Sequence, residues 1–267
     1  MVLTAENYHS LEANVEFLSV SQFKDFAGCT GKRGCEAYAL AKVRGEWKEE
    51  PNEAMLIGSY VDAHVEGTLD LFKASHDCYK KSGKGAGELY AWCQKAEQMI
   101  QRFERDPVFM GFLTGKKQVI LTAELFGAMW KIKIDNLGLD FITDLKTARS
   151  LTESSWSHDT GRISFVENWG YDIQGAIYPA VVQKVMGGER LPMYFAAVSK
   201  EEYPDINVIQ LDNTLIRDAL YNVERNTERI VLLKKGEIIP DRCELCNYCR
   251  STKVLSKPVM ASNLVIA

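Results

Sequence analysis

The sequence predicts a mixed α/β fold, a central mixed β-sheet flanked by helices, on three observations. Residues up to about 110 carry helical periodicity with few β-branched runs. From Gln118 the texture switches to short β-rich segments broken by turn residues. A helix, two further strand-like runs and a long closing helix then follow. Hydrophobic residues make up 46% and charged residues 25%, ordinary globular usage that excludes extended disorder. A chain of 267 residues can bury a sizeable core, and its length suits one large domain with appendages.

The elements follow in order. Leu18 to Phe26 opens a helix, and Ser19 with Gln22 three residues on fits a capping box. Cys29, Gly31 and Gly34 interrupt, and Cys35 to Arg44 reads helical. Residues 53 to 74 read as one longer helix. Lys80 to Gly87 (KKSGKGAG) reads as a mobile loop. Leu89 to Arg105 is amphipathic, with Leu89, Trp92, Ala96, Met99 and Phe103 at helical spacing. Gln118 to Phe126 and Ala128 to Asp135 form a hairpin across Gly127, and Leu139 to Thr147 is a third strand. Trp169 to Met186 is helical, with Pro179 expected to kink or break it. Met193 to Val198 and Val208 to Leu211 read as strands, and Asn213 to Lys235 as a helix. One domain spanning 1–267 is expected: a helical part over 18–110, a sheet and helix over 115–212, and a helix with a cysteine cluster over 213–252.

The formal net charge is −4, so no global basic surface advertises nucleic acid. Any such role needs a local groove, for which Lys116, Lys117, Lys131, Lys133 and Arg149 are candidates. No apolar run approaches the ~20 residues of a membrane span, and the start lacks a signal-peptide pattern. A cytoplasmic location is expected, where seven cysteines argue against a disulfide framework.

The segment from Lys131 to Lys146 carries the most chemistry. Asp144 and Lys146, two apart on a strand, project to one face, and Asp135 can join them across the turn. Two converging carboxylates make a hard-oxygen site suited to Mg²⁺ or Mn²⁺. The lysine would orient or help deprotonate a water. Phe141, Ile142 and Leu145 bracket Asp144, and a carboxylate buried among them needs a partner or a metal. Taken singly, a D-x-K pair is commonly solvated, a helical His such as His64 is commonly structural, and Glu124 is an ordinary strand residue. Gln174 and Tyr178, four apart, share a helix face.

Near the C-terminus, Cys243-x-x-Cys246-x-x-Cys249 is a close-set thiolate triplet. It matches the first three cysteines of the bacterial iron–sulfur run, whereas zinc sites more often use two separated pairs. A fourth ligand must come from elsewhere. Iron–sulfur, zinc and free thiols all remain open. Cys78 and Cys93 have no partner at metal spacing and read as ordinary residues.

In this order, His64, Glu124, Asp135, Asp144-x-Lys146 and Gln174-x-x-x-Tyr178 resemble the PD-(D/E)xK nuclease superfamily, and within it the RecB-like and RecE-like exonucleases. The phrases from Ser19 to Phe26, Gly58 to Asp62 and Trp169 to Gln174 look similar to phage and prophage RecE-type proteins. The likeness spans roughly residues 18–252, and Ile134 stands where the superfamily name has Pro.

That resemblance implies a restriction-endonuclease-like core and hydrolysis of phosphodiester bonds at the ends of linear duplex DNA. Asp135 and Asp144 would hold one or two ions, with the Leu145 carbonyl and His64 completing the shell. Glu124 would be a further ligand, or would hold a metal-bound water. Lys146 would position the water, and Gln174 and Tyr178 would contact the DNA backbone or steady Lys146. RecE-type enzymes cut 5′→3′ in phage-type recombination, and leave a 3′ tail for an annealing protein of the RecT type. Relatives form rings, so a homo-oligomer is implied. AddB-type relatives join one cysteine after an S-x-S motif to three C-terminal ones around a 4Fe–4S cluster, which makes Cys29 the first choice of fourth ligand and Cys35 the second. The alternatives are a single-strand exonuclease, a CRISPR-adaptation-type iron–sulfur nuclease, a non-catalytic metal-stabilised DNA-binding module, and an unrelated α/β enzyme in which the D-x-K is a coincidence.

Overall fold

The structure is a computed structural model. It describes every residue except 84, 158, 159, 256, 259 and 262–267. Lys84 of the expected 80–87 loop thus lies outside the described residues.

Helices α1 (Leu11–Glu16), α2 (Val20–Ala27) and α3 (Glu36–Val43) come first. A tight ribbon of β1 (Gly28–Cys29) and β2 (Lys32–Arg33) separates the last two. Next come α4 (Glu53–Glu66), α5 (Leu69–Ser75), α6 (Ala91–Glu104) and α7 (Pro107–Phe112). Strands β3 (Lys116–Leu125), β4 (Ala128–Leu137) and β5 (Ile142–Ala148) follow, then a second ribbon, β6 (Ser155–Ser157) with β7 (Gly161–Ile163). The chain continues through α8 (Phe165–Asn168), α9 (Tyr171–Met186), β8 (Met193–Ser199), β9 (Ile206–Gln210), α10 (Asn213–Lys235) and α11 (Asn247–Ser251).

The five main strands form one mixed sheet in the order β3-β4-β5-β8-β9. Only β5 and β8 run parallel, and α8 and α9 lie on the connection between them. Strand alternation divides the core into two layers. On one face Trp130, Ile132, Ile142 and Phe195 meet α2, α9 and α10 through Phe23, Ile173, Ile177 and Val223. On the other, Leu145, Ala196 and Val198 meet α4, α6 and α7 through Tyr60, Met99, Phe103 and Phe109. Both faces are covered, as the predicted class requires. No helix among the described residues is long and apolar enough to cross a membrane.

Three expectations are corrected. The single helix over 53–74 breaks at Gly67, whose left-handed backbone (φ 76°) caps α4 before α5 starts. Pro179 does not break α9, which runs unbroken from Tyr171 to Met186. One face of that helix, with Ile173, Ala176 and Ile177, is buried in the core against the sheet. The third strand starts at Ile142 rather than Leu139, because 138–141 make the turn closed by Gly138 N–H to the Phe141 carbonyl (3.0 Å). The capping box at α2 is half made. Ser19 Oγ accepts the Gln22 N–H (3.3 Å), but the Gln22 side chain reaches the Asn14 carbonyl instead (3.1 Å).

Trp130 is fully buried, and its indole N–H donates to the Leu125 carbonyl (3.0 Å) across the β3–β4 hairpin. Trp130→Ala should lower stability by about 3–5 kcal/mol, read as a fall in the urea unfolding midpoint.

Candidate active site and cysteine cluster

Strands β4 and β5 share only two ladder positions, Asn136↔Thr143 and Leu137↔Ile142. Beyond them the strands part. The freed edge of β4 pairs instead with Leu18, which donates to the Met129 carbonyl (2.8 Å) and accepts from Lys131 N–H (2.9 Å). Strand β5 keeps its other neighbour, β8. A cavity of about 470 Å³ lies in the gap, lined by Asp62, Asp135, Asp144, Lys146, Gln174 and Tyr178 among others.

Asp135 stands at the fork. Its Oδ2 accepts the Leu145 N–H (3.0 Å), replacing a ladder bond lost where the strands separate. The Gln118 amide faces its other oxygen at 3.4 Å, from a residue with positive φ (52°). Asp144 is buried at 4% exposure. Its Oδ1 accepts a hydrogen bond from the Gln174 amide of α9. Its Oδ2 lies 2.5 Å from Lys146 Nζ as an ion pair. The lysine also sits 4.7 Å from the Tyr171 ring centroid. Burial alone would lower its ammonium, but Asp144, Tyr171 and Asp135 outweigh burial and keep it protonated. Burial, with Asp144 adding to it, holds the Tyr178 phenol well above the usual range.

Asp62 on α4 is the acidic residue that the sequence reading missed. Burial, then repulsion from Asp144, pushes its carboxyl up to about 7. Burial, Asp144 and Asp62 likewise raise Asp135 well above the carboxylate range. A signal for Asp62 was present. Gly58 lies one turn earlier, and a Cβ there would come within 3.1 Å of Thr147 Oγ1, so the glycine lets α4 approach β5 closely. That approach carries the residue four positions on to the cavity.

His64 and Glu124 are not brought in. At about 100° per residue, His64 lies some 200° round the helix from Asp62 and so turns away. Its Nε2 instead meets Glu104 Oε1 on α6 at 2.8 Å, and its ring abuts Phe103. Glu124 is exposed at the far end of the β3–β4 hairpin, opposite Met129. Six residues separate Met129 from Asp135, roughly 20 Å of strand.

The donor set fits a divalent cation. Asp62, Asp135 and Asp144 offer hard oxygens in one cavity, and Asp144 Oδ2 is buried against the Lys146 ammonium (2.5 Å). A cation there would relieve the repulsion that raises Asp62 and Asp135. Lysines line the same cavity. Lys131 is 2% exposed and donates to the Tyr8 carbonyl (2.6 Å) and Asn14 Oδ1 (2.8 Å), with burial pushing it down to about 8. Lys24, Lys42 and Lys133 reach the cavity too, while Lys116, Lys117 and Arg149 do not line it.

The second constellation joins the two ends of the chain. The sulfurs of Cys35, Cys243, Cys246 and Cys249 all lie within 4.8 Å of one another. Three separations are 3.5 Å (Cys35–Cys249), 3.8 Å (Cys35–Cys246) and 4.0 Å (Cys243–Cys249). Backbone N–H groups of Leu245 and Cys246 point at Cys243 Sγ (3.5 and 3.3 Å). Burial opposes ionisation of Cys243, but these donors outweigh it and bring the thiol down to about 6. Burial pushes Cys35 up to about 12, the cost a metal would offset. The fourth member is Cys35, not Cys29. The β1–β2 ribbon reverses the chain between them, and Cys29 Sγ faces the Asn168 carbonyl (3.5 Å) beneath the α8–α9 junction. Arg229 of α10 clamps the cluster's frame, pairing with Glu36 (2.5 Å) and Asp241 (3.2 Å).

The crowded carboxylates set a pH dependence. Asp62 keeps its proton to about pH 7 in the fold but only to about 4 in the unfolded chain. The folded state therefore binds more protons between those limits, and metal-free stability should fall as pH rises from 4 to 7. Asp62→Asn should flatten that slope in calorimetric melts. It should also shrink the rise in melting temperature that Mn²⁺ gives the unaltered protein.

Residues 19–252 match a family described as a "PDDEXK-like domain of unknown function" (DUF3799). No curated protein matches. Among solved structures, a crystal structure named "putative exonuclease" from Eubacterium rectale is 47% identical, with a TM-score of 0.93. The match covers 99% of this chain and 98% of that one. The five-stranded mixed sheet between two helical layers, forked over Asp135, Asp144 and Lys146, is thus the fold of a known group, and this chain belongs to the PDDEXK-like family DUF3799.

Proposed function

We propose that this protein is a divalent-metal-dependent exonuclease that hydrolyses phosphodiester bonds from the ends of linear duplex DNA. The observation that carries the reading is the forked cavity, where Asp135, Asp144, Lys146 and Gln174 meet. The 47% identical relative named as an exonuclease supports it.

Asp62, Asp135, Asp144 and the Leu145 carbonyl would hold Mg²⁺ or Mn²⁺. A cation bound there would polarise the scissile phosphate, acidify a water and stabilise the leaving oxygen. Gln174 fixes the Asp144 carboxylate through Oδ1 and leaves Oδ2 to Lys146 and to a cation that would sit beside it. Lys146 stays protonated, so it serves as a donor that orients the attacking water rather than as its base. Tyr178 keeps its proton on the cavity wall and can donate to a phosphate oxygen. Lys24, Lys42 and Lys133 offer positive charge along the same cavity, a local footprint compatible with a net charge of −4. Digestion in the 5′→3′ sense is the polarity carried by the RecE resemblance.

The four cysteines serve as a structural centre for one tetrahedral ion, Zn²⁺ first. Four thiolates at about 2.3 Å from one ion stand about 3.8 Å apart. Three of the sulfur separations, 3.5–4.0 Å, match that spacing, and all the sulfurs lie within 4.8 Å of one another. In a four-iron cluster each thiolate takes a different iron, which spreads the sulfurs wider.

End-labelled linear duplex tests the first reading. Metal-dependent loss of the 5′-labelled strand is expected, with Lys146→Ala slower by at least about 100-fold. Equal digestion by both proteins would misplace the site, and no digestion by either would remove the enzyme reading. For the cysteines, elemental analysis should find about one zinc per chain and no visible iron–sulfur absorption. Iron with acid-labile sulfide would replace zinc with a cluster.

A further inference from the structure

The second small ribbon has no part in the chemistry above. Its strands β6 and β7 alternate strictly. Ser157 and Ile163 are buried, while Trp156 and its cross-strand partner Arg162 face outward. Trp156 is 75% exposed. The alternation pins it there, because a one-residue slip would turn Ile163 into water. The indole leans over Gly161, where a Cβ would lie 3.8 Å from the ring, so one edge is supported and a face stays open. Arg162 is held across the ribbon by its Nε–H to Ser154 Oγ (2.6 Å), and makes no ion pair among the described residues.

The ribbon's place in the chain ties it to the site. It leaves the end of β5 only nine residues after Lys146 and re-enters the core at Phe165. Phe165 meets Tyr171 edge-on at 6.2 Å, and the Tyr171 ring lies 4.7 Å from Lys146 Nζ. The root of the ribbon is thus one aromatic layer from the proposed reacting centre.

The geometry points to Trp156 as a stacking platform for a nucleobase at the DNA end, with Arg162 beside it for the adjoining phosphate. This rests on the exonuclease reading and deepens it. One open indole face with a cation beside it matches a base and its phosphate. It is far smaller than the roughly 1,000 Å² a stable protein partner needs. Such a platform engages any base, because every base has a π-face, and it acts only where the duplex is open. It therefore favours ends over interior duplex.

The test uses a linear duplex with 2-aminopurine at its terminal position, with Ca²⁺ for binding and Mg²⁺ for digestion. Unaltered protein should quench the probe by stacking. Trp156→Ala should lose the quench, weaken binding of the end about tenfold and raise KM similarly with kcat little changed. Trp156→Phe should recover part of each effect. Melting temperature should stay the same, since the side chain is exposed. Normal quench and KM in Trp156→Ala, with Lys146→Ala inactive, would overturn the platform and leave the nuclease standing. A Trp156-dependent quench without digestion by the unaltered protein would keep the platform and overturn the nuclease. No quench by the unaltered protein would overturn the platform.

Discussion

A β-sheet normally holds its strands together along their whole length, since each unpaired backbone group in the interior carries a desolvation cost. Strands β4 and β5 stop pairing after two positions, and the cavity exists because they do. The fork is sustained by substitutes. Leu18 takes over the edge of β4, and the Asp135 carboxylate takes over the Leu145 N–H. The interaction that holds the fork open therefore also places a carboxylate inside it. Asp144 and Lys146 then enter the gap because they share the face of β5 opposite to Leu145, which packs toward α4 and α6.

The charge inside the fork is held in tension. Four carboxylates, Asp25, Asp62, Asp135 and Asp144, share one cavity with five lysines, all of them buried or half-buried. The lysine on Asp144 offsets part of the repulsion but leaves Asp62 and Asp135 well above their ordinary range. Sites arranged in this way are poor at stabilising their own fold and good at binding a cation. The aromatic and amide neighbours set orientation. Gln174 fixes which Asp144 oxygen meets Lys146, and Tyr171 confines that lysine.

The stiffness that this arrangement needs comes from the two ends of the chain. Cys35 at the start of α3 and the three cysteines around α11 converge from 208 or more positions apart, as the interval from 35 to 243 shows. Arg229 bridges Glu36 and Asp241 beside them. Helices α2 and α3 thereby stay seated against α10. The residue that edges β4, Leu18, lies directly before α2. A metal at the cysteines would thus act on the cavity only through this packing.

Much was legible in the sequence itself. Period-two patterns placed the strands, period-3.6 patterns the helices, and Gly127 marked the hairpin. Spacing put Asp144 and Lys146 on one face, and the order of helical and β-rich segments predicted the fold class. These are local properties, set by backbone geometry within a few residues. The rest was decided by approach between distant segments. His64 and Asp62 are two residues apart on one helix, and only the way α4 packs, through Gly58, decides that the aspartate faces the cavity. Glu124 and Asp135 sit on neighbouring strands, but the register separates them by most of the hairpin. Cys29 and Cys35 were both in reach of the C-terminal thiols on paper, and a two-residue ribbon chose between them. The sequence by itself determined which elements form and which chemistry they carry, because period and propensity act locally. Only the tertiary structure decided which side chains meet, because helix rotation, strand register and chain reversal depend on what packs against what.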